Sequence, residues 1–413
     1  MTVVTAERIT TAAQALSVAT ELAAEFAAGA AERDRTRRLP HEELDQLSAS
    51  GLLAITVPAV YGGADLPPSV VAEVFRILAT GDPNIAQVPH SHFVYLNLLR
   101  LAGTRAQQRE YFGRVLAGAR IANAQSERGG ATVADISTVL RVQGDRFVVA
   151  GTKYYCTGSL FADILAVLTR LDDPQGISGL DSGEYVAFVA ALEPGVRIVD
   201  DWDALGQRTT GSGTVEFDSV SVSRENVVAR AAAVGAPTGY GAFAQLLHAA
   251  IDAGIARGAL EAAAEFVRTR SRPWFEAEVE RAVDDPLVVQ RFGELAVSVA
   301  AAEATLVVAG AAVDAAVRSS GTTHAEDDTE RDDAAQASIA VATAKILADR
   351  AANEVSAAIF EVGGTRSAAA THQLDHFWRN ARTHTLHDPV RWKYQHIGRA
   401  VLHDRPPPLH GVI

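Results

Sequence analysis

The sequence predicts an α+β protein, mainly helical, in which a compact β-domain sits between an N-terminal helical domain and a C-terminal four-helix bundle. Three observations predict it. Apolar residues recur at helical spacing up to about residue 120. Short runs rich in Val, Ile, Tyr and Phe, punctuated by Gly, Asp, Ser and Pro, fill residues 121–230. Long Ala-rich periodic segments then return and continue towards the C-terminus. The expected domains are 1–120, 121–230 and 231–413, which suits a chain of 413 residues at roughly 150 residues per domain.

The first zone carries AAQALSVATELAAEFAAGAAERD and HEELDQLSASGLL, each apolar on one helical face, and a further apolar run over 84–101. Pro58 and the Gly62-Gly63 pair break the helical pattern. In the second zone ISTVLRVQ, RFVVAGTKYYC, DILAVLTRL, EYVAFVAAL and GTVEFDSVSV read as strands, and their short spacing suggests an antiparallel barrel or sandwich. In the third, segments near 240–270, 286–320 and 332–361 suit an antiparallel bundle. AEDDTERDD reads as a solvated loop and helix start, and the Pro-rich DRPPPLHGVI cannot be helical.

Composition narrows the function. A formal net charge of -13 repels phosphate backbones, so no nucleic acid is expected as a partner. The apolar stretches are broken by charge, which argues against a membrane span. The N-terminus lacks the basic and apolar regions of a signal peptide, and Cys156, the single cysteine, allows no intrachain disulfide. A cytoplasmic location is expected.

Some residues stand out on their own chemistry. Seven of the twelve histidines lie from 372 onward. His384 and His387 are three apart and would share a face on a helix, with Asp388 adjacent. An imidazole titrating near 6.5 suits proton transfer at neutral pH. His372, His376, His384, His387 and Asp388 could ligate a metal, but no HExxH or cysteine cluster accompanies them, and no metal is expected. His92 lies in an apolar helical run. Thr157 and Ser159 follow an aromatic strand in YYCTGS, where Thr-Gly-Ser would equally serve as turn chemistry. Asn123, Gln125 and Ser126 form a polar stretch ahead of Gly129-Gly130. Arg270, Arg272 and Arg366 are candidate phosphate contacts, and Gly363 and Gly364 would let the backbone approach a ligand.

The order of zones resembles the acyl-CoA dehydrogenase family, and so do NAQSERGGATVADISTVL, GTKYYCTGSLFADILAVL, DWDALGQRTTGSGTVEFDSVSVSRENVV, RTRSRPW and FEVGGTRS. The likeness covers nearly the whole chain. KYYCTGSLFAD and WRNARTHTLHDPVRWKYQHIG are most similar to its dibenzothiophene monooxygenase and sulfur-acquisition branch. That branch implies a flavin-dependent monooxygenase fed with reduced flavin by a separate reductase. O₂ would add to form a C4a-hydroperoxyflavin, and an apolar aromatic or heteroaromatic small molecule, a thiophene or an indole-type ring, would be oxygenated. The resemblance implies cofactor contacts at Asn123, Gln125, Ser126, Thr157, Ser159, Trp202, Arg270, Arg272, Gly363, Gly364 and Arg366. It implies substrate or proton-transfer roles for His92, His384, His387, Ser159, Asn123 and Asp388. It also implies a homotetramer, with phosphate gripped across a subunit boundary.

Two departures separate the chain from true dehydrogenases. Asp388, followed by Pro389, stands where those enzymes place a Glu base, and the shorter carboxylate reaches less far. Phe360 stands where FAD-using members place a Gln, which favours reduced FMN over FADH2. The alternatives are an acyl-CoA dehydrogenase with Asp388 as base and FAD as cofactor, and a flavin-binding scaffold without catalysis.

Overall fold

A computed structural model describes residues 6–132, 134–320 and 328–412. Part of the acidic stretch AEDDTERDD, up to Asp327, lies outside the described residues. Six helices come first: α1 (Ala12–Thr36), α2 (His41–Ala49), α3 (Pro68–Gly81), α4 (Pro83–Gln87), α5 (His90–Ala102) and α6 (Arg105–Leu116). Their boundaries follow local chemistry. Thr11 caps α1 by accepting from the Gln14 backbone N–H, and Thr104 with Gln107 forms a reciprocal capping box on α6. Pro83 starts α4, where its missing N–H is not needed, and Asp82 accepts from the Asn84 N–H.

The strands are β1 (Ile121–Ala124), β2 (Val139–Gln143), β3 (Arg146–Lys153), β4 (Ile164–Asp172), β5 (Glu184–Ala190), β6 (Val196–Val199), β7 (Thr214–Val222) and β8 (Val227–Ala229). They form one sheet in the order β6-β7-β3-β2-β4-β5-β8. Pairing is antiparallel except along one edge of β4, where β1 and then β2 lie parallel to it end to end. The sequence pattern suggests a wholly antiparallel domain, and these two parallel pairings are the departure. β4 reads as a continuous apolar run because both of its faces are buried. Ile164, Ala166 and Leu168 join the core shared with the helices, while Leu165 and Val167 join a smaller core with Leu140, Val149 and Phe217.

The chain then returns to helix: α7 (Ala231–Val234), α8 (Tyr240–Thr269), α9 (Pro286–Ser319), α10 (Asp328–Gly363), α11 (Asp375–His384) and α12 (Val390–His403). Residues 404–412 are not helical. α8 is buried almost all round, packed on α3, α9 and α10. α9 is long and apolar enough to cross a bilayer, and only 33% of that stretch is buried. It leaves Val289, Val297, Val307 and Val308 exposed.

Candidate functional site

Where the sheet meets α4, α5, α8 and the α11–α12 turn, a cavity of about 520 Å³ opens. That lies within the usual range for a small-molecule site. Its sheet-side wall is built from Asn123 on β1, Gln125 and Ser126 just beyond it, and Tyr155 and Thr157 after β3. The loop before β7 adds Trp202, Gln207, Thr210 and Ser212. Gly206 lets this loop press against α11, since a Cβ there would lie 1.9 Å from the Arg379 carbonyl oxygen. Hydroxyls line up along this wall. Thr157 Oγ1 lies 2.8 Å from Ser212 Oγ, which lies 2.7 Å from Thr210 Oγ1, and Thr210 donates to the Gln207 carbonyl at 2.9 Å. Trp202 Nε1–H donates to the same carbonyl at 2.7 Å, which fixes the indole edge-on to Tyr155.

The opposite wall is a stack of imidazoles. His90 stacks on His248 with ring centroids 3.9 Å apart, and His248 on His387 at 4.7 Å. His90 Nε2–H donates to the Ala244 carbonyl at 2.9 Å. His387 lies past the end of α11, in a turn closed by its own N–H to the His384 carbonyl, and its Nδ1–H donates to that carbonyl at 2.8 Å. The pair therefore does not share a helix face as the spacing suggested. Burial, and after it the His384 ring, holds His387 far below the ordinary histidine range, at about 3. Burial likewise takes His90 to about 4. Behind the stack, His384 Nδ1 lies 2.5 Å from Asp252 Oδ1, and Lys345 Nζ donates to Asp252 Oδ2 at 2.8 Å and also to Asp349.

The arrangement can take a polar ligand. Asn123 Oδ1, both amide atoms of Gln207 and Gln245 Oε1 are buried without a hydrogen-bond partner among the described residues. Native proteins rarely leave such atoms orphaned. His248, His384 and His387 each offer a nitrogen, all within 4.8 Å of one another, a spacing that ligands of one metal ion can share. Hydrogen bonds among His248, His384, Gln87 and His387 already account for that approach.

The acyl-CoA dehydrogenase N-terminal, middle and C-terminal domain models match residues 11–119, 122–220 and 246–392. The dibenzothiophene monooxygenase of Rhodococcus qingshengii is 32% identical over 95% of this chain and 94% of that one. The chain belongs to the acyl-CoA dehydrogenase family. It lies on the family's flavin-dependent monooxygenase branch. The probable FMNH2-dependent monooxygenase SfnC of Pseudomonas putida is 32% identical over 95% of this chain and 96% of that one. FMN-bound TdsC from Paenibacillus sp. A11-2 superposes with a TM-score of 0.89 at 32% identity, covering 97% of this chain and all of that chain. TdsC has also been crystallised with FMN and indole together.

Within this acyl-CoA dehydrogenase fold, the cavity brings together Asn123, Gln125, Ser126, Thr157, Trp202, His387 and Asp388. Asp388 accepts from Gln245 Nε2 at 2.6 Å. His384 lies one layer behind, fully buried. Seven expected residues fall elsewhere. Ser159 is buried beneath the turn, its hydroxyl directed at the Gly211 carbonyl 3.4 Å away, so Thr157 alone of the Thr-Gly-Ser hydroxyls lines the cavity. His92 is buried on the other side of α5, with Nε2 on the Leu53 carbonyl at 2.8 Å and Nδ1 accepting from the Ile121 N–H at 3.1 Å. Both its nitrogens are occupied by backbone, and it borders a different, small cavity. Arg270, Arg272, Gly363, Gly364 and Arg366 meet at the far end of the bundle. There Arg366 donates to the Arg270 carbonyl at 2.9 Å, and none of the five lines the cavity.

Sequence reasoning missed Gln87, His90, Gln207, Gln245 and His248. One signal was available: Gln245, His248 and Asp252 recur at i, i+3 and i+7, a polar stripe on the otherwise apolar first half of α8.

Proposed function

We propose that the protein is a two-component monooxygenase that takes reduced FMN from a separate reductase. It places one atom of O₂ on an apolar aromatic or heteroaromatic small molecule. The supporting observation is the set of orphaned buried amide atoms on Asn123, Gln207 and Gln245 around one cavity. Each unsatisfied group costs about 1–3 kcal/mol, which a ring edge carrying both N–H and C=O groups would relieve. Reduced flavin, when bound, supplies the electrons that activate O₂.

The chain's own residues do the rest. The Thr157, Ser212 and Thr210 hydroxyls can each donate or accept on the sheet side. His387 faces them across the cavity with its Nδ1–H already committed, so Nε2 is the atom that holds or moves a proton. Val94, Ala244, Leu386, Tyr155 and Trp202 exclude water and offer flat apolar surface to a substrate. The preference for FMN follows Phe360 and the FMN of the relatives named above. The substrate class follows the indole held by TdsC. Arg270, Arg272 and Arg366, with Gly363 and Gly364, would grip phosphate belonging to a site in a neighbouring copy. The exposed apolar face of α9 would be covered in a homotetramer. Localisation would be cytoplasmic.

Anaerobic calorimetry with reduced FMN, oxidised FMN and reduced FAD tests this reading. Reduced FMN is expected to bind most tightly, and Gln207→Leu to weaken it about tenfold, the worth of one buried hydrogen bond. Absence of flavin binding, or bleaching of bound oxidised flavin by an acyl-CoA, would overturn it.

A further inference from the structure

We infer that Gln87 is a positioning residue that lets His384 and His387 hold one Nε2 proton between them, and that the buried Asp252–Lys345 pair assigns this proton to His384. The inference rests on the proposed function only for what the proton is used for.

The buried Gln87 amide at the end of α4 lies between the two rings. Its Oε1 is 2.9 Å from His384 Nε2, and its Nε2 is 3.4 Å from His387 Nε2. The other nitrogen of each ring is committed. His387 Nδ1 faces the His384 carbonyl, which can only accept, so that nitrogen carries hydrogen. His384 Nδ1 faces a buried carboxylate oxygen of Asp252, so it carries hydrogen too. Of these two rings only the Nε2 positions can vary; His248 Nδ1, 3.3 Å from His384 Nε2, meets the same position and accepts from it while His384 keeps its Nε2 proton.

A primary amide has one accepting end and one donating end. With Oε1 towards His384, that ring must carry an Nε2 proton and His387 must not. Turned over, the amide demands the reverse. Two protons would set one N–H against the NH₂ group, and none would set one lone pair against Oε1. Each of those arrangements leaves a buried polar atom opposed, which costs more than the hydrogen bond gains.

The surroundings decide which ring keeps the proton. His384 touches the carboxylate of Asp252, whose other oxygen takes Lys345 Nζ. Asp349 contacts the same Lys345 from one turn along α10. His387 touches no carboxylate. It faces His248 of α8 and, beyond that ring, His90 of α5. Its chain neighbour Asp388 is engaged by Gln245, and Lys393 of α12 donates to the Val412 carbonyl. The depressed affinity of His387 for protons, at about 3, agrees with this assignment. At rest, His387 is therefore a hydrogen-bond acceptor at the cavity wall. It becomes a donor only when the amide turns and the Nε2 proton passes from His384 to His387.

The test is nitrogen NMR of ¹⁵N-histidine-labelled protein, free of flavin, with the two rings assigned from His384→Gln and His387→Gln. At neutral pH, His384 is expected to be protonated on both nitrogens and His387 on Nδ1 alone. Gln87→Glu places acceptors towards both rings and is expected to protonate both Nε2 positions. Gln87→Met removes the amide, and the nitrogen shifts of both rings at neutral pH are expected to change. Asp252→Asn combined with Lys345→Met, which keeps the charge balanced, is expected to take the proton from His384. Wild-type protein with both Nε2 positions protonated at neutral pH, or with the proton on His387, would overturn the inference even if no variant folds. So would ring shifts that are the same in Gln87→Met and Gln87→Glu as in wild type. No flavin or turnover enters this measurement, so its failure is separable from failure of the monooxygenase reading.

Discussion

Acid should loosen this fold well before its carboxylates titrate. His90, His92, His248 and His387 are all driven down by burial, the first two to about 4, His387 to about 3, and His248 well below its ordinary value. Released from the fold, each would titrate near 6.5. Below that pH the unfolded chain binds protons that the folded chain refuses. The stability these neutral rings contribute is therefore complete above about pH 6.5 and is lost as pH falls towards their folded values. Between pH 6.5 and 5 His90, His92 and His387 each remove about 1.6 kcal/mol, about 5 kcal/mol together, and His248 acts in the same direction. Asp349 acts in the opposite sense. Burial, then the charge of Asp252, raises it to about 9, so the folded chain keeps a proton there that the unfolded chain loses above about 4. Acidification over the same interval returns about 2 kcal/mol through it, leaving a net loss of about 3 kcal/mol from these four groups, to which His248 adds. Urea unfolding at pH 6.5 and pH 5, followed by circular dichroism, measures the difference. His90→Gln, which can still donate to the Ala244 carbonyl, is expected to remove about 1.6 kcal/mol of this pH dependence. Equal urea midpoints at the two pH values would refute the claim that these rings are buried neutral.

Three further outcomes are expected. His387→Ala should lower the single-turnover oxygenation rate by about 10²–10⁴, the usual worth of a positioned acid–base group, while reduced-flavin binding measured by calorimetry changes little. Lys345→Met takes away the ammonium shared by the buried Asp252 carboxylate and the Asp349 side chain and should cost about 3–5 kcal/mol in urea unfolding at neutral pH. Asp388→Asn keeps a group able to meet Gln245 and should leave oxygenation within a few fold of wild type, whereas a dehydrogenase base would lose nearly all activity in the same change.

How much of this was legible in the sequence depended on periodicity. α8, α9 and α10 announced themselves through long Ala-rich repeats, and β3, β4, β5 and β7 through runs of β-branched and aromatic residues. β1, β6 and β8 are only three or four residues long and carry too little pattern to read. The candidate site divides along the same line. Asn123, Thr157 and His387 were visible because they sit in motifs. His92 was chosen over His90 because α5 is apolar nearly all round, and its sequence does not say which face meets the cavity. The two residues lie two apart on a helix, hence on opposite sides, and only packing against α8 selects His90. Ser159 and Thr157 both follow the strand, and the turn at Gly158, with φ of 81°, folds one hydroxyl under and leaves the other in the cavity. Gln87 and Gln207 stand in unremarkable local sequence. Their roles come from rings and helices that the fold brings from more than a hundred residues away.

The claim beneath all of this is that the cavity between sheet and bundle channels oxygen from O₂ into an apolar ring. Protein loaded anaerobically with reduced FMN and indole, then mixed with ¹⁸O₂, addresses it directly by mass spectrometry of the organic product. The account predicts one ¹⁸O atom per product molecule, in a yield that collapses in His387→Ala. Unlabelled indole recovered intact, with all reduced flavin reoxidised and the O₂ consumed released as hydrogen peroxide, would contradict it.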